Sequence, residues 1–299
     1  MSVRMGIDVG GTFTDAVVLD NDTFELIGTV KIPTTHKAEH GVAEGIVEAL
    51  HAALERYNIS PEDVVFIAHG TTQATNALLE GDVEKVGVLG LGKGVEGVKV
   101  KQDTQIGNIE LAKDKFLYTK HYFMPEENWT EEELSACMED MKANGIKVAV
   151  VSAAYSVDDP RSELAVKEKL DENGFAVTCG HDISKLYGLR IRTRTAVINS
   201  SILPKMIQTA AMTEESVAQS GIKAPLMIMR CDGGVMSVRE VRTRPILTML
   251  SGPAAGVAGA LMYEKVSEGI FQEVGGTSTD ISAVHNGQVM ISYAEVGGH

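Results

Sequence analysis

Short apolar runs alternate with stretches of helical periodicity along most of this chain. From Arg4 to Leu19 two apolar runs flank a Gly-Gly break and predict a β-hairpin, and Glu25 to Ile32 predicts a third strand. Gly41 to Tyr57 places Val42, Ile46, Ala49, Leu50, Ala53 and Leu54 at helical spacing, which predicts an amphipathic helix. Val64 to Ala68 reads as a buried strand, Thr71 to Glu80 as the opening of a helix, and Lys85 to Leu91 as another strand. Residues 101–130 are less regular. Thr130-Glu131-Glu132-Glu133 is a capping-box start for a helix through Ala143, and a strand from Val148 to Ser152 and a helix from Pro160 follow. Thr195 to Ser220 predicts one or two helices, with Pro204 at a kink or break. Leu226 to Arg230 predicts a strand that turns at Asp232-Gly233-Gly234. Ser251 to Tyr263 predicts a Gly/Ala-rich helix with Ser251 as its N-cap, and Ile270 to Gln288 a second hairpin. Elements alternating in this way favour layered α/β domains.

Composition narrows the function classes. At 299 residues the chain suits one large domain or two ordinary ones, and 44% hydrophobic with 23% charged residues is the balance of a globular protein. A formal net charge of −14 leaves no basic stripe for nucleic acid, which is excluded as the main partner. It does not exclude a nucleotide, whose phosphates are cradled by local backbone N–H groups. The most sustained apolar run, Val148 to Ala154, is strand-sized, so no membrane span is expected. The first strand begins near Met5, without a signal peptide, and Cys137, Cys179 and Cys231 are too scattered for a disulfide framework or a zinc knuckle. A cytoplasmic location is the expectation.

The chemistry centres on a pattern that occurs twice. Gly10-Gly11-Thr12-Phe13-Thr14-Asp15 and Gly275-Gly276-Thr277-Ser278-Thr279-Asp280 differ at one position, and each follows an apolar run carrying one acid, Asp8 or Glu273. Glycines let the backbone approach a ligand closely, the threonines add hydroxyl donors, and an acid at a strand end can hold magnesium through its waters. A strand, a Gly-Gly-Thr turn and a second strand is what two loops need to face each other across a phosphate chain. A lone copy would be indistinguishable from an ordinary hairpin turn, and the second copy weighs against that alternative.

Other segments have two readings each. His69-Gly70-Thr71-Thr72 follows a strand and opens a helix, so it is either an anion or carbonyl site, with Thr75 and Asn76 one turn on, or a helix cap beside a structural histidine. Ser251-Gly252-Pro253 is either near a ligand or a close helix packing. Asp232-Gly233-Gly234 fits a ligand approach or a plain turn, and Arg192 and Arg194 fit an anion contact or the surface. His36 and His40 lack a third metal ligand and read as a solvated helix start, and Cys231 as a buried thiol. Neither a Gly-x-Ser-x-Gly elbow nor a Walker lysine is present.

Several segments together carry a resemblance: Met5 to Asp15, His69 to Glu80, Arg192 to Val197, Met229 to Gly234, Leu250 to Val257 and Gly275 to Ser282. On these the chain resembles the hydantoinase A/5-oxoprolinase family, which includes acetone carboxylase subunits, within the actin–Hsp70–sugar kinase ATPase superfamily. The resemblance implies an α/β, actin-like ATPase fold built of ribonuclease H-like subdomains. Residues 1–185 would form the N-terminal domain with the phosphate 1 loop, and residues 186–299 the first part of the hydantoinase A domain with the phosphate 2 loop. Family members continue past this point toward an adenosine loop, so the second subdomain is expected to be incomplete.

The activity implied is ATP-dependent opening of a small cyclic amide such as a hydantoin or 5-oxoproline, with ATP and Mg2+ as cofactors. By the same resemblance Gly10, Gly11, Thr12, Thr14, Gly275, Gly276, Thr277 and Ser278 would cradle phosphate. Asp8 and Glu273 would hold the metal, with Asp15 and Asp280 as supporting acids. His69, Thr71, Thr72 and Asn76 would stand on the substrate side. A hydantoinase B-type subunit and a hetero-oligomer are expected. Glu273 stands where the family usually has aspartate, and its extra methylene would shift the carboxylate by about an ångström. A carboxylase-type ATPase and a non-catalytic nucleotide-binding assembly subunit remain as alternatives.

Overall fold

The computed structural model describes residues 1–10, 12–34, 42–274 and 279–290. The expectations for Gly11, His36, His40, Gly275, Gly276, Thr277 and Ser278 lie outside the described residues. In chain order come strands Val3–Val9 (β1), Phe13–Asp20 (β2) and Leu26–Pro33 (β3), helix Val42–Arg56 (α1), strand Val64–Thr71 (β4) and helix Gln73–Glu80 (α2). Strand Val86–Gly92 (β5), helix Gly97–Thr104 (α3), strands Ile109–Ala112 (β6), Lys115–Leu117 (β7) and Thr119–Pro125 (β8), and helix Glu131–Ala143 (α4) follow. Next are strand Val148–Ala153 (β9), helix Arg161–Glu172 (α5), strand Ala176–Cys179 (β10), helix Gly180–Ile183 (α6) and the long helix Leu189–Gln219 (α7). Strands Leu226–Met229 (β11) and Val235–Ser237 (β12), helices Val238–Val241 (α8) and Ser251–Glu264 (α9), and strands Gly269–Val274 (β13), Thr279–His285 (β14) and Gln288–Val289 (β15) come last among the described residues. Among the described residues no helix is long and apolar enough to cross a membrane.

Two compact units divide the chain, Met1–Thr75 with Met206–Ala294 forming the first and Asn76–Lys205 most of the second. The first is built on a six-stranded sheet in the order β12-β11-β4-β1-β2-β3, with a three-stranded sheet β13-β14-β15 beside it in sequence. β1 pairs antiparallel with β2 and parallel with β4, so the first hairpin is wedged into the centre of its sheet. The hairpin expected over Arg4 to Leu19 forms as β1 and β2, with Val3, Met5, Ile7, Ala16 and Val18 buried. On α1 the expected stripe of Ile46, Ala49, Leu50, Ala53 and Leu54 is buried, packed toward β2 and β3.

The second unit has a four-stranded sheet in the order β10-β9-β5-β8, parallel throughout. β5 and β9 lie at its centre and are buried at every position, as strands covered on both faces are. The capping box forms as expected: Thr130 Oγ1 accepts from Glu133 N at 3.2 Å, and Glu133 Oε2 accepts from Thr130 N at 2.9 Å.

Five local expectations are corrected or sharpened. β4 does not stop at Ala68 but runs through Thr71, because His69, Gly70 and Thr71 pair with Ile7, Asp8 and Val9 of β1. Residues 101–130, which lack a clear periodicity, contain β6, β7 and β8; pairing with β5 holds β8 in the sheet although Lys120 and His121 interrupt its apolar pattern. Cys231 is exposed rather than buried. Ser251 is the first residue of α9 rather than its cap, since its hydroxyl donates to the Thr71 carbonyl at 3.2 Å. The cap position falls to Leu250, a non-glycine residue at φ 55°. Pro204, expected at a kink or break, lies inside α7, which continues past it.

Candidate functional site

The first hairpin brings its two acids face to face. In the β1–β2 register Asp8 is opposite Asp15 and Val9 opposite Thr14. The second hairpin repeats this arrangement, with Glu273 opposite Asp280 and Val274 opposite Thr279. Like charges directly across an antiparallel pair are destabilising, so the Asp8–Asp15 pair costs stability unless a positive charge offsets it. Asp15 is neutralised by Lys31, whose Nζ lies 3.2 Å away and 4.8 Å from the centre of the Phe13 ring. No described lysine or arginine is paired with Asp8. Crowding by surrounding protein atoms raises the Asp8 pKa, and the Asp15 charge adds to the rise. An oxygen donor set of this kind, short of positive charge, fits a hard divalent ion such as Mg2+.

The turn between β1 and β2 is tied to the start of the next connection. Gly10 N donates to Phe13 O at 3.0 Å, Thr34 N to Thr12 O at 2.9 Å, and Thr34 Oγ1 to Gly10 O at 2.8 Å. Thr12 is exposed beside this turn. Thr14 is fully buried, its hydroxyl 3.4 Å from that of Thr34, so it braces the turn from within.

β4 supplies the next layer. His69 sits between Ile7 and Ile228 in the sheet and is 3% exposed. Burial depresses its pKa to about 4 against an opposing hydrogen bond with the Ile7 backbone, and Nδ1 has no hydrogen-bond partner. The histidine is therefore neutral at ordinary pH. Gly70 lies beside Asp8, so close that a Cβ there would stand 2.9 Å from Asp8 Oδ1. Thr71 Oγ1 accepts from the N–H of Gln73, the first residue of α2, at 3.2 Å, while its carbonyl accepts from the Ser251 hydroxyl. Thr72 lies between β4 and α2, and Asn76 is on α2 beyond the boundary of the first unit.

α9 packs against β4 and β11 and against the second hairpin. A Cβ on Gly256 would stand 2.9 Å from Glu273 Oε2 and 3.2 Å from the Phe271 ring. The Asp232-Gly233-Gly234 turn spends its acid internally: Asp232 Oδ1 accepts from Gly234 N at 3.0 Å and Oδ2 from Arg230 at 2.6 Å. Thus the structure brings Asp8, Asp15, Gly70, Thr71 and Ser251 together in the first unit, and Glu273 with Gly256. The part played by Gly70 and Gly256 was not visible in the sequence, where only their short Gly-containing motifs stood out.

Arg192, one candidate for an anion, is occupied in the second unit. Its guanidinium donates to Leu186 O and Ala153 O at 2.6 Å each and to Ala154 O at 3.0 Å, and it is 1% exposed. Nearby, Glu163, Cys179 and His181 form a buried group of metal-capable side chains. Its donors are already matched to one another. Glu163 Oε1 accepts from Ala153 N at 2.8 Å, and Oε2 from His181 N at 3.1 Å and Nδ1 at 2.6 Å. Burial pushes the Cys179 thiol pKa up, so it stays protonated and donates to the Glu163 carbonyl at 3.8 Å. This cluster braces the ends of β9 and β10.

The α/β fold matches that of two solved enzymes, acetone carboxylase and caprolactamase. The nucleotide-free structure of acetone carboxylase, studied for ATP-dependent acetone carboxylation, matches 96% of this chain and 44% of its own with a TM-score of 0.74 at 20% identity. The crystal structure of ATP-dependent caprolactamase from Pseudomonas jessenii matches 94% of this chain and 43% of its own, with a TM-score of 0.68 at 23% identity. The chain belongs to the hydantoinase/oxoprolinase family: residues 4–174 match the model of the hydantoinase/oxoprolinase N-terminal region, and residues 192–299 that of hydantoinase/oxoprolinase. In sequence it is 26% identical to the acetophenone carboxylase gamma subunit of Aromatoleum aromaticum over 93% of this chain and 42% of the relative. It is 23% identical to the caprolactamase subunit alpha of Pseudomonas jessenii over 97% and 44% respectively. The chain spans less than half the length of these curated relatives.

Proposed function

We propose that this chain carries the nucleotide-binding part of an ATP-dependent enzyme that activates a small cyclic amide, a hydantoin, 5-oxoproline or a similar lactam, for ring opening. The observation that carries the reading is the Asp8–Asp15 pair, two acids directly opposed with a lysine on one of them only. A lactam carbonyl is a poor electrophile. Transfer of the ATP γ-phosphoryl group to the carbonyl oxygen releases ADP and makes the carbonyl carbon electrophilic. One water adds to that carbon, the ring C–N bond breaks with the nitrogen taking up a proton, and a second water hydrolyses the resulting acyl phosphate to carboxylate and phosphate. Such chemistry needs positioning and charge neutralisation more than a strong nucleophile.

In this reading Gly10, Gly11 and Thr12 cradle phosphate together with Gly275, Gly276, Thr277 and Ser278. Thr14 holds the first turn rigid from within. Asp8 and Glu273 hold Mg2+ through its waters, with Asp15 and Asp280 in support, and the ion when bound offsets phosphate charge. Neutral His69 keeps the end of β4 fixed beneath Thr71 and Thr72, which face the substrate. The relatives from Aromatoleum and Pseudomonas are named as subunits. We therefore place this chain in a hetero-oligomer whose other component is a hydantoinase B-type subunit.

A second reading, phosphorylation of a ketone or bicarbonate for carboxylation, is favoured by the likeness to acetone carboxylase and to the acetophenone carboxylase subunit. Phosphate release by the full-length protein with its partner subunits separates the two. Stimulation by hydantoin, 5-oxoproline or caprolactam supports the cyclic-amide reading. Stimulation only by ketones with bicarbonate supports the carboxylase. Nucleotide binding with no stimulation by either set would point to a non-catalytic assembly subunit.

A further inference from the structure

Gly70 lies one residue from the end of β4, and Gly256 sits in the interior of α9, where glycine lowers stability by about 0.5–1 kcal/mol relative to alanine. Neither has a positive φ, so backbone conformation does not explain them. Proximity does. An ideal Cβ on Gly70 would stand 2.9 Å from Asp8 Oδ1, and one on Gly256 2.9 Å from Glu273 Oε2. The two glycines come from different motifs and different elements, yet each lies under the acid that precedes a Gly-Gly-Thr turn. The Phe271 ring crowds the same Cβ position of Gly256, at 3.2 Å.

We propose that Gly70 and Gly256 are positioning residues that set where the oxygens of Asp8 and Glu273 stand, and that Gly256 is matched to the length of Glu273. A glutamate reaches its place here only over a residue with no Cβ. Shortening it to aspartate would withdraw the carboxylate by one methylene and relieve its contact with an alanine methyl, leaving only the Phe271 ring to give by a few tenths of an ångström. Asp8 has no such reserve, because no shorter acid exists. The inference rests on the reading above to the extent that these acids hold a divalent cation; the length match itself does not.

The test uses the full-length protein with its partner subunits, bound Mn2+ being read by electron paramagnetic resonance in the presence of ADP. Gly256→Ala weakens Mn2+ binding by about tenfold or more, as loss of an orienting contact typically does. Adding Glu273→Asp to it restores affinity to within about threefold of Glu273→Asp alone. Gly70→Ala weakens binding with no rescue by Glu273→Asp. Thermal denaturation of the same variants reads the steric match without the metal: Gly256→Ala lowers Tm, and Glu273→Asp recovers part of the loss. Wild-type affinity in folded Gly256→Ala, or a double variant no better than Gly256→Ala in both readouts, overturns the proposal. If the wild type binds no Mn2+ while the Tm rescue holds, the cation-positioning role fails together with the metal reading above, and the length match stands.

Discussion

Asp8 and Asp15 face each other directly across the first hairpin, and Lys31 neutralises only the second of them. The charge left on Asp8 is a cost to the folded chain and an asset to a site that holds a cation. Asp8→Asn therefore separates the two roles. It raises stability without nucleotide by roughly 0.5 kcal/mol, the scale of a cross-strand like-charge contact. It lowers magnesium-dependent ATP turnover by roughly a hundredfold. Denaturant titration and phosphate release measure the two effects, and a variant that loses both stability and turnover would show Asp8 to be a structural acid.

His69 makes stability pH-dependent. Its pKa is depressed from 6.5 to about 4 in the folded chain, so the unfolded chain binds the proton more readily. The stability that neutral His69 provides is complete above about pH 7 and is lost as pH falls through 6.5 toward 4, about 3 kcal/mol in all. In His69→Phe, which has no proton to bind, the fall in Tm between pH 7 and pH 4 is shallower than in the wild type. Equal slopes would place the titrating group elsewhere.

Thr130 is a clean probe of the second unit. Both hydrogen bonds of its capping box are made, so Thr130→Ala costs about 1 kcal/mol of stability. ATP turnover per folded molecule stays at the wild-type level. A change in turnover would tie α4 to the chemistry.

Arg192→Met tests the corrected role of that arginine. The variant removes the guanidinium donors from the carbonyls of Ala153, Ala154 and Leu186, of which Ala153 O keeps the Ser156 hydroxyl. A loss of about 3 kcal/mol is expected, read by denaturant unfolding. ATP affinity of the folded fraction is unchanged. Loss of ATP affinity with full stability would restore the anion-binding reading.

Much of this fold was legible where the signal is local. The Thr130–Glu133 box and the stripe from Ile46 to Leu54 depend on near neighbours in sequence and formed as read. The end of β4 was not legible, because His69-Gly70-Thr71 is held by Ile7, Asp8 and Val9, partners distant in sequence. The same holds for β8, whose lysine and histidine hide a strand that pairing with β5 enforces. At the site, repetition made the two acid-bearing hairpins visible. That the acids oppose each other needed the register, and that glycines lie beneath Asp8 and Glu273 needed the packing of β4 and α9. Arg192 reads on the surface as readily as in the core, since only the carbonyls gathered at the end of β9 decide its place.

The most direct test of the account is calorimetric titration of ATP into the full-length wild-type protein and its Asp8→Asn variant, with and without Mg2+. The account predicts that Mg2+ tightens ATP binding to the wild type by roughly tenfold or more and leaves the variant nearly indifferent. An equal magnesium effect in both proteins, or no ATP binding by the wild type, would contradict it.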